Sequence, residues 1–199
     1  MNTNDLHRFS YQEIAKFITP ESSVLDLGCG EGELLELLIR TKGVQGRGID
    51  KEEKMIVSCI SKGLSVFQGN LDEGLNEYPD KSYDFVILNH TLQMIHNPTF
   101  LLQEMLRVGK KIIVNFPNFG FLVNRFQLGI LGMMPVNKNI PYQWHNTPNI
   151  HFCTRKDFLQ LCKELEVRIV DEIAIHQGVT IPFGRNIFAS QICLLLEQY

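Results

Sequence analysis

The sequence is short of nearly every feature that assigns a protein at a glance. Its five cysteines, Cys29, Cys59, Cys153, Cys162 and Cys193, are odd in number, and none stands in a CxxC pair. That pattern favours the reduced thiols of a cytosolic protein over a disulfide framework. No apolar run approaches the roughly 20 residues needed to span a bilayer, so no membrane partner is expected. The opening stretch MNTNDLHRFSYQEIAKF has no basic segment leading into an apolar one, which argues against a secretory signal. The expected location is the cytoplasm. Lysines and arginines form no run and the formal net charge is −3. A nucleic-acid partner, which relies on a basic face, is therefore not expected. Repeats, low-complexity tracts and linker-like stretches are missing as well, so residues 1–199 are read as a single domain. No HExxH or Ser-His-Asp arrangement is visible. His90 and His96 lie at a helix-like separation but lack a third ligand at a recognisable spacing, and no metal is expected.

What is present is an alternation of short apolar runs and amphipathic stretches. Leu6, Phe9, Ile14, Phe17 and Ile18 predict an opening helix that Pro20 follows. Strands are expected at 24–27, 44–49, 64–68, 83–88 and 111–116, the second mainly by position because its glycines have little strand propensity. Helices are expected after the first glycine-rich turn, over 52–62 with Gly63 as the stop, and from Asn97-Pro98 to Gly109. Strands alternating with helices imply a parallel α/β sheet. The end differs: a helix capped by Thr154 precedes strand-like 167–175 and 187–196, joined by about eleven residues without a helical pattern. Such a link suits an antiparallel hairpin, so one reversed strand is expected.

The chemistry sits in VLDLGCGEGELLELL, residues 24–38. Gly28, Gly30 and Gly32 lie between a strand and a helix, where a ligand can approach the backbone closely. A glycine-rich turn alone also serves dinucleotides, or merely a tight turn with solvated acids. Asp26 and Glu31 sharpen the reading, because a pyrophosphate would meet two carboxylates there. A ligand carrying an ammonium and a sulfonium gains from them instead. The spacing D-x-G-x-G-x-G also departs from the dinucleotide pattern G-x-G-x-x-G. Asp50 ends the second strand, where a carboxylate can accept from both hydroxyls of a ribose. Cys29 inside the loop is read as a small side chain filling the turn.

On these residues the chain resembles the class I methyltransferases. The resemblance implies a Rossmann-like fold: a seven-stranded, mostly parallel sheet with one antiparallel strand and helices on both faces. It further implies S-adenosylmethionine (or S-adenosylhomocysteine) as cofactor, with the methionine moiety over Gly28–Gly32, the ribose on Asp50 and the adenine beside the third strand. Gln68-Gly69-Asn70-Leu71-Asp72 matches the adenine segment, with Asn70 where the pattern usually carries an acid. Asn89 falls at the cofactor and substrate mouth. The expected cofactor-binding set is thus Asp26, Gly28, Cys29, Gly30, Gly32, Asp50, Asn70, Leu71 and Asn89. No residue is assigned as catalytic.

A narrower resemblance covers nearly the whole chain. VLDLGCGEGELL, QGNLDEGL, YDFVILNHTLQ, NPTFLLQEMLRVGKKIIVNFPNFG and MPVNKNIPYQWHNTPNIHFCTRKDF are similar, in order, to segments of the methionine-biosynthesis protein MetW family. That family is linked to homoserine O-acetyltransferase (MetX), which the resemblance makes the expected partner. Two roles stand open: support or activation of that enzyme, or active methyl transfer to an unidentified small molecule. Residues 117–153 form an insertion too long for a plain loop. Phe121, Leu122, Phe126, Leu128, Ile130, Leu131, Met133, Met134 and Trp144 make it apolar. It reads equally as a lid, a docking surface or a cap completing the core. His145 and His151 within it are candidates for a general base or for structural hydrogen bonds.

Overall fold

The computed structural model describes residues 3–199, with side chains from Phe9 onward, so the predicted contribution of Leu6 lies outside the described side chains. Five parallel strands come first, with helices between most of them. Helix α1 (Thr3–Phe17) leads to β1 (Ser23–Leu27), α2 (Glu33–Lys42), β2 (Gln45–Asp50) and α3 (Glu53–Ser61). Then follow β3 (Val66–Gln68), β4 (Tyr83–Asn89), α4 (Pro98–Val108) and β5 (Gly109–Pro117). The remainder comprises α5 (Leu122–Gly129), α6 (Arg155–Glu164), β6 (Val167–His176), β7 (Val179–Thr180), α7 (Arg185–Phe188) and β8 (Gln191–Gln198). All eight strands form one sheet in the order β3-β2-β1-β4-β5-β8-β6-β7. The first five are mutually parallel, and β8 runs antiparallel between β5 and β6.

Seven strands and one reversal were expected; there are eight and two. The extra strand is β7, two residues that fold back antiparallel on the end of β6 through the turn at Gln177-Gly178, both in left-handed conformation. The final strand also begins later than expected, at Gln191 rather than Ile187. Gly184, at φ 58°, starts the short helix α7 instead, and Ile187 and Phe188 belong to it. An apolar run of that length carries no period that separates strand from helical turn.

Both faces of the central strands are buried, and alternate side chains serve opposite cores. Val86 and Leu88 of β4 join one cluster with Leu101 and Met105 of α4 and Phe158 of α6. Phe85 and Ile87 join the other, with Ile14 of α1 and Leu34 and Leu38 of α2. Helix starts follow the expected caps: Asn97 accepts from the Phe100 N–H, and Thr154 and Asp157 form a reciprocal capping box.

Buried amides fasten residues 117–153 to the end of the sheet. Asn118, 1% exposed, donates to the carbonyls of Asn186 (3.1 Å) and Ala189 (2.8 Å). Its Oδ1 accepts the Gly120 and Arg155 N–H groups, both at 3.1 Å. Asn124 donates to the Asn118 carbonyl, and its own Oδ1 accepts from Asn137 at 2.7 Å. Each buried polar group left without a partner costs about 1–3 kcal/mol. Asn118→Ala is therefore expected to lower the unfolding free energy by about 3 kcal/mol in a denaturant titration. A loss below about 1 kcal/mol would contradict this anchoring role.

Candidate functional site

The strand order reverses between β1 and β4, and in open α/β sheets ligands sit beyond the carboxyl ends of the strands at such a point. Gly28, Gly30 and Gly32 all occupy the left-handed region there, at φ 70°, 54° and 77°. The backbone at Gly28 and Gly32 is crowded: a Cβ at Gly28 would stand 2.5 Å from Thr91 Oγ1, and one at Gly32 2.4 Å from Leu64 Cδ1. At Gly30 a Cβ would meet nothing within 4 Å. The middle of the loop is thus bare backbone facing open space.

Strand β2 holds the loop in place. The N–H groups of Gly28 and Cys29 donate to the Ile49 carbonyl at 2.8 and 3.0 Å. Asp50 completes the link: its Oδ2 accepts the Gly30 N–H at 2.8 Å and its Oδ1 the Glu52 N–H at 3.0 Å. Each oxygen keeps a lone pair for a further donor. Beneath the loop Asp26 is 2% exposed. Burial, and then the neighbouring Asp50 charge, push its carboxyl up to about 7. Cys29 turns away onto β2, where a Cβ at Gly48 would come within 2.6 Å of its sulfur. Burial raises that thiol above its ordinary range, which disfavours the nucleophilic thiolate.

A cleft of about 260 Å³ opens over the loop. Of the expected residues, Gly28, Gly30, Asp50, Asn70, Leu71 and Asn89 line it, while Asp26, Cys29 and Gly32 stand behind it. Asp72 of the expected adenine segment and His90 also line it, as do Lys51, Met55, Thr91, Met94 and Ile95, which the sequence did not mark. His90 directly follows β4 and has φ 56°, an uncommon conformation for a non-glycine residue that is worth noting at a ligand cleft. Asn70 is partly engaged: its Oδ1 accepts the Asp72 N–H and its Nδ2 donates to Glu73. Asn89 accepts from the buried Asn115, which also bonds Ser10 of α1.

The two candidate histidines of the insertion do not line the cleft. His145 lies edge-on to Trp144, and His151 Nε2 donates to the His96 carbonyl at 3.3 Å. His96 in turn gives its N–H and Nδ1 to the two oxygens of Asp72, both at 2.8 Å. Burial pushes the Asp72 carboxyl up, but these bonds outweigh it and leave it below the ordinary range. The insertion and the segment after β3 are thereby joined through His96. Among the described residues no group of three His, Cys, Asp or Glu could hold a metal ion, and no helix is long and apolar enough to cross a membrane.

The family model "Methionine biosynthesis protein MetW" matches residues 8–196. The chain belongs to the MetW family. A curated relative from Rhodopirellula baltica, "Bifunctional methionine biosynthesis protein MetXA/MetW", is 37% identical over 171 residues. That match takes in 81% of this chain but only 27% of the relative. Among solved structures, an S-adenosylmethionine-dependent methyltransferase from Archaeoglobus fulgidus superposes with a TM-score of 0.73 at 19% identity. It covers 98% of this MetW-family chain and 94% of its own. Magnesium protoporphyrin IX methyltransferase from Synechocystis PCC 6803, solved with bound S-adenosylhomocysteine, gives 0.67 at 16% identity, covering 97% and 84%. The fold is that of the class I methyltransferases, and the chain is a methionine-biosynthesis family protein on that fold.

The raised carboxyl of Asp26 has a measurable consequence. Its folded-state value near 7 exceeds the unfolded 3.8, so its contribution to stability is present below about 3.8 and lost as the pH rises to about 7. Carbon-detected NMR is expected to show Asp26 titrating near 7, and Asp26→Asn to be more stable than the parent at pH 8. A titration near 4 would contradict the burial.

Proposed function

We propose that this MetW-family protein is an S-adenosylmethionine-binding accessory protein that supports homoserine O-acetyltransferase by direct contact. For the cofactor, the support is the chemistry of the donor set. Gly30 offers bare backbone, Asp50 has two free lone pairs for a ribose diol, and the Asp26 carboxyl gains from an ammonium or sulfonium nearby. When bound, the cofactor supplies an activated methyl group. The chain's own part is to hold the adenosyl moiety along Asp50, Asn70 and Leu71 and to keep Asn89 and His90 at the opening.

The single observation carrying the accessory role is the exposed apolar face of the insertion. Phe126 is 52% exposed, and Ile130 and Trp144 are each 73% exposed, with Leu122, Leu131 and Met133 beside them in the chain. Exposed apolar patches of several hundred square ångströms commonly mark protein interfaces. The reading as a core cap fits poorly with such exposure, and a lid fits poorly because no cleft-lining residue comes from 117–153. Residues 117–153 also contain no Asp or Glu, while Arg125 and Lys138 are present. A partner with an acidic rim is therefore favoured. The name of the Rhodopirellula relative joins MetXA and MetW in one chain, which suits a partnership between the two.

Active methyl transfer is the second reading, favoured by His90 in its left-handed conformation at the cleft. One experiment separates the two. Phe126→Ala and Trp144→Ala are mixed with homoserine O-acetyltransferase, and complex formation and S-adenosylhomocysteine affinity are measured separately. The accessory reading expects a loss of about 2 kcal/mol in complex stability, about 30-fold, with cofactor affinity unchanged. Intact complexes with impaired cofactor binding would overturn it.

A further inference from the structure

The 3-10 turn Leu92–Met94 separates two spaces. Thr91, Met94 and Ile95 face the cofactor cleft, whereas Leu92 and Gln93 line a second cavity of about 130 Å³. The other walls of this cavity come from Pro98 of α4, the end of β5, Ile140, residues 149–153 and α6. Phe116 and Phe158 form part of its apolar lining, with ring centroids 4.8 Å apart. The insertion clamps onto the same turn, since the N–H groups of Ile150 and His151 both donate to the Gln93 carbonyl, at 2.8 and 3.0 Å.

Three properties of the walls define an occupant. The first is size: a cavity of about 150 Å³ takes up benzene, so about six to eight non-hydrogen atoms fit. The second is polarity. Gln93 Nε2 donates to the His90 carbonyl at 2.8 Å, which fixes the orientation of the amide. Its buried Oε1 then accepts nothing, and neither does the buried Oδ1 of Asn149, another lining residue. Two orphaned acceptors enclosed in the wall of one small cavity favour a donor that the wall can shift to meet. The third is charge: Asp157 lines the cavity, and no lysine or arginine does. An anion is disfavoured there.

We propose that this cavity is a second small-molecule site, for a neutral or cationic compound with a compact apolar body and an N–H or O–H donor. Neighbouring residues of the same turn line both spaces, so the cavity adjoins the cleft. The proposal does not depend on the accessory role. The test uses the full chain in ¹⁵N-detected NMR titrations with phenol, toluene and benzoate. Phenol is expected to shift the Gln93 and Phe158 amides saturably and to bind about fivefold more tightly than toluene, the weight of one buried hydrogen bond. Benzoate is expected not to bind. Cys153→Phe places a ring in the cavity and is expected to abolish the phenol shifts, with Leu161→Phe as the second variant should the first not fold. Equal affinity for toluene, binding of benzoate, or shifts confined to α5 would overturn the proposal. So would phenol binding that survives in a folded filled variant, or a phenol-saturated crystal showing only ordered water in the cavity.

Discussion

The rest of the site depends on one carboxylate shared between two strand ends. Asp50 leaves β2 and takes the Gly30 N–H on one oxygen and the Glu52 N–H on the other. The first bond holds the glycine loop against β2, and the second holds the turn into α3. Left-handed residues at three alternating positions make the loop turn back on itself, which side chains with a Cβ adopt only at a cost of about 1–2 kcal/mol each. Without the Asp50 anchor those backbone angles would have only the Ile49 carbonyl to hold them to β2. Scaffold and cleft thus meet in one side chain, because Asp50 also lines the cleft it helps to shape.

Asp26 shows the cost of that arrangement. A carboxyl buried beneath the loop, beside a second carboxylate, is unfavourable in the ligand-free protein. An apolar residue there would suit the core better. A cation bound nearby would offset that burial. Structures commonly give up stability at functional positions in this way.

How much of this was legible in the sequence varies with the physics of each element. The loop, β4, and the Asn97 and Thr154 caps were readable because their signals are local: glycines, an apolar run, a side-chain acceptor at a helix start. Strand β2 was weakly marked, since Gly46 and Gly48 lack strand propensity. The structure explains them, as a Cβ at either would fall within 2.6 Å of Leu35 or Cys29. Thr91, which presses on Gly28 from 63 residues downstream, and the Asp72–His96–His151 chain were unreadable because they arise only when distant segments meet. The β7 edge and helix α7 were missed for a different reason: two and four residues are too few to show a period.

The insertion remains tied to the sheet by buried amides and to the Leu92–Met94 turn at the Gln93 carbonyl, yet leaves Phe126, Ile130 and Trp144 exposed. Cleft, turn and outward face are therefore one connected structure. Calorimetric titration of S-adenosylhomocysteine into the parent, Asp50→Ala and Asn70→Ala tests the proposed cofactor site most directly. Saturable binding is expected in the parent, weakened at least about tenfold by Asp50→Ala and far less by Asn70→Ala, whose neutral amide is partly engaged. Absence of binding to the parent at millimolar ligand, or equal losses in the two variants, would contradict the account.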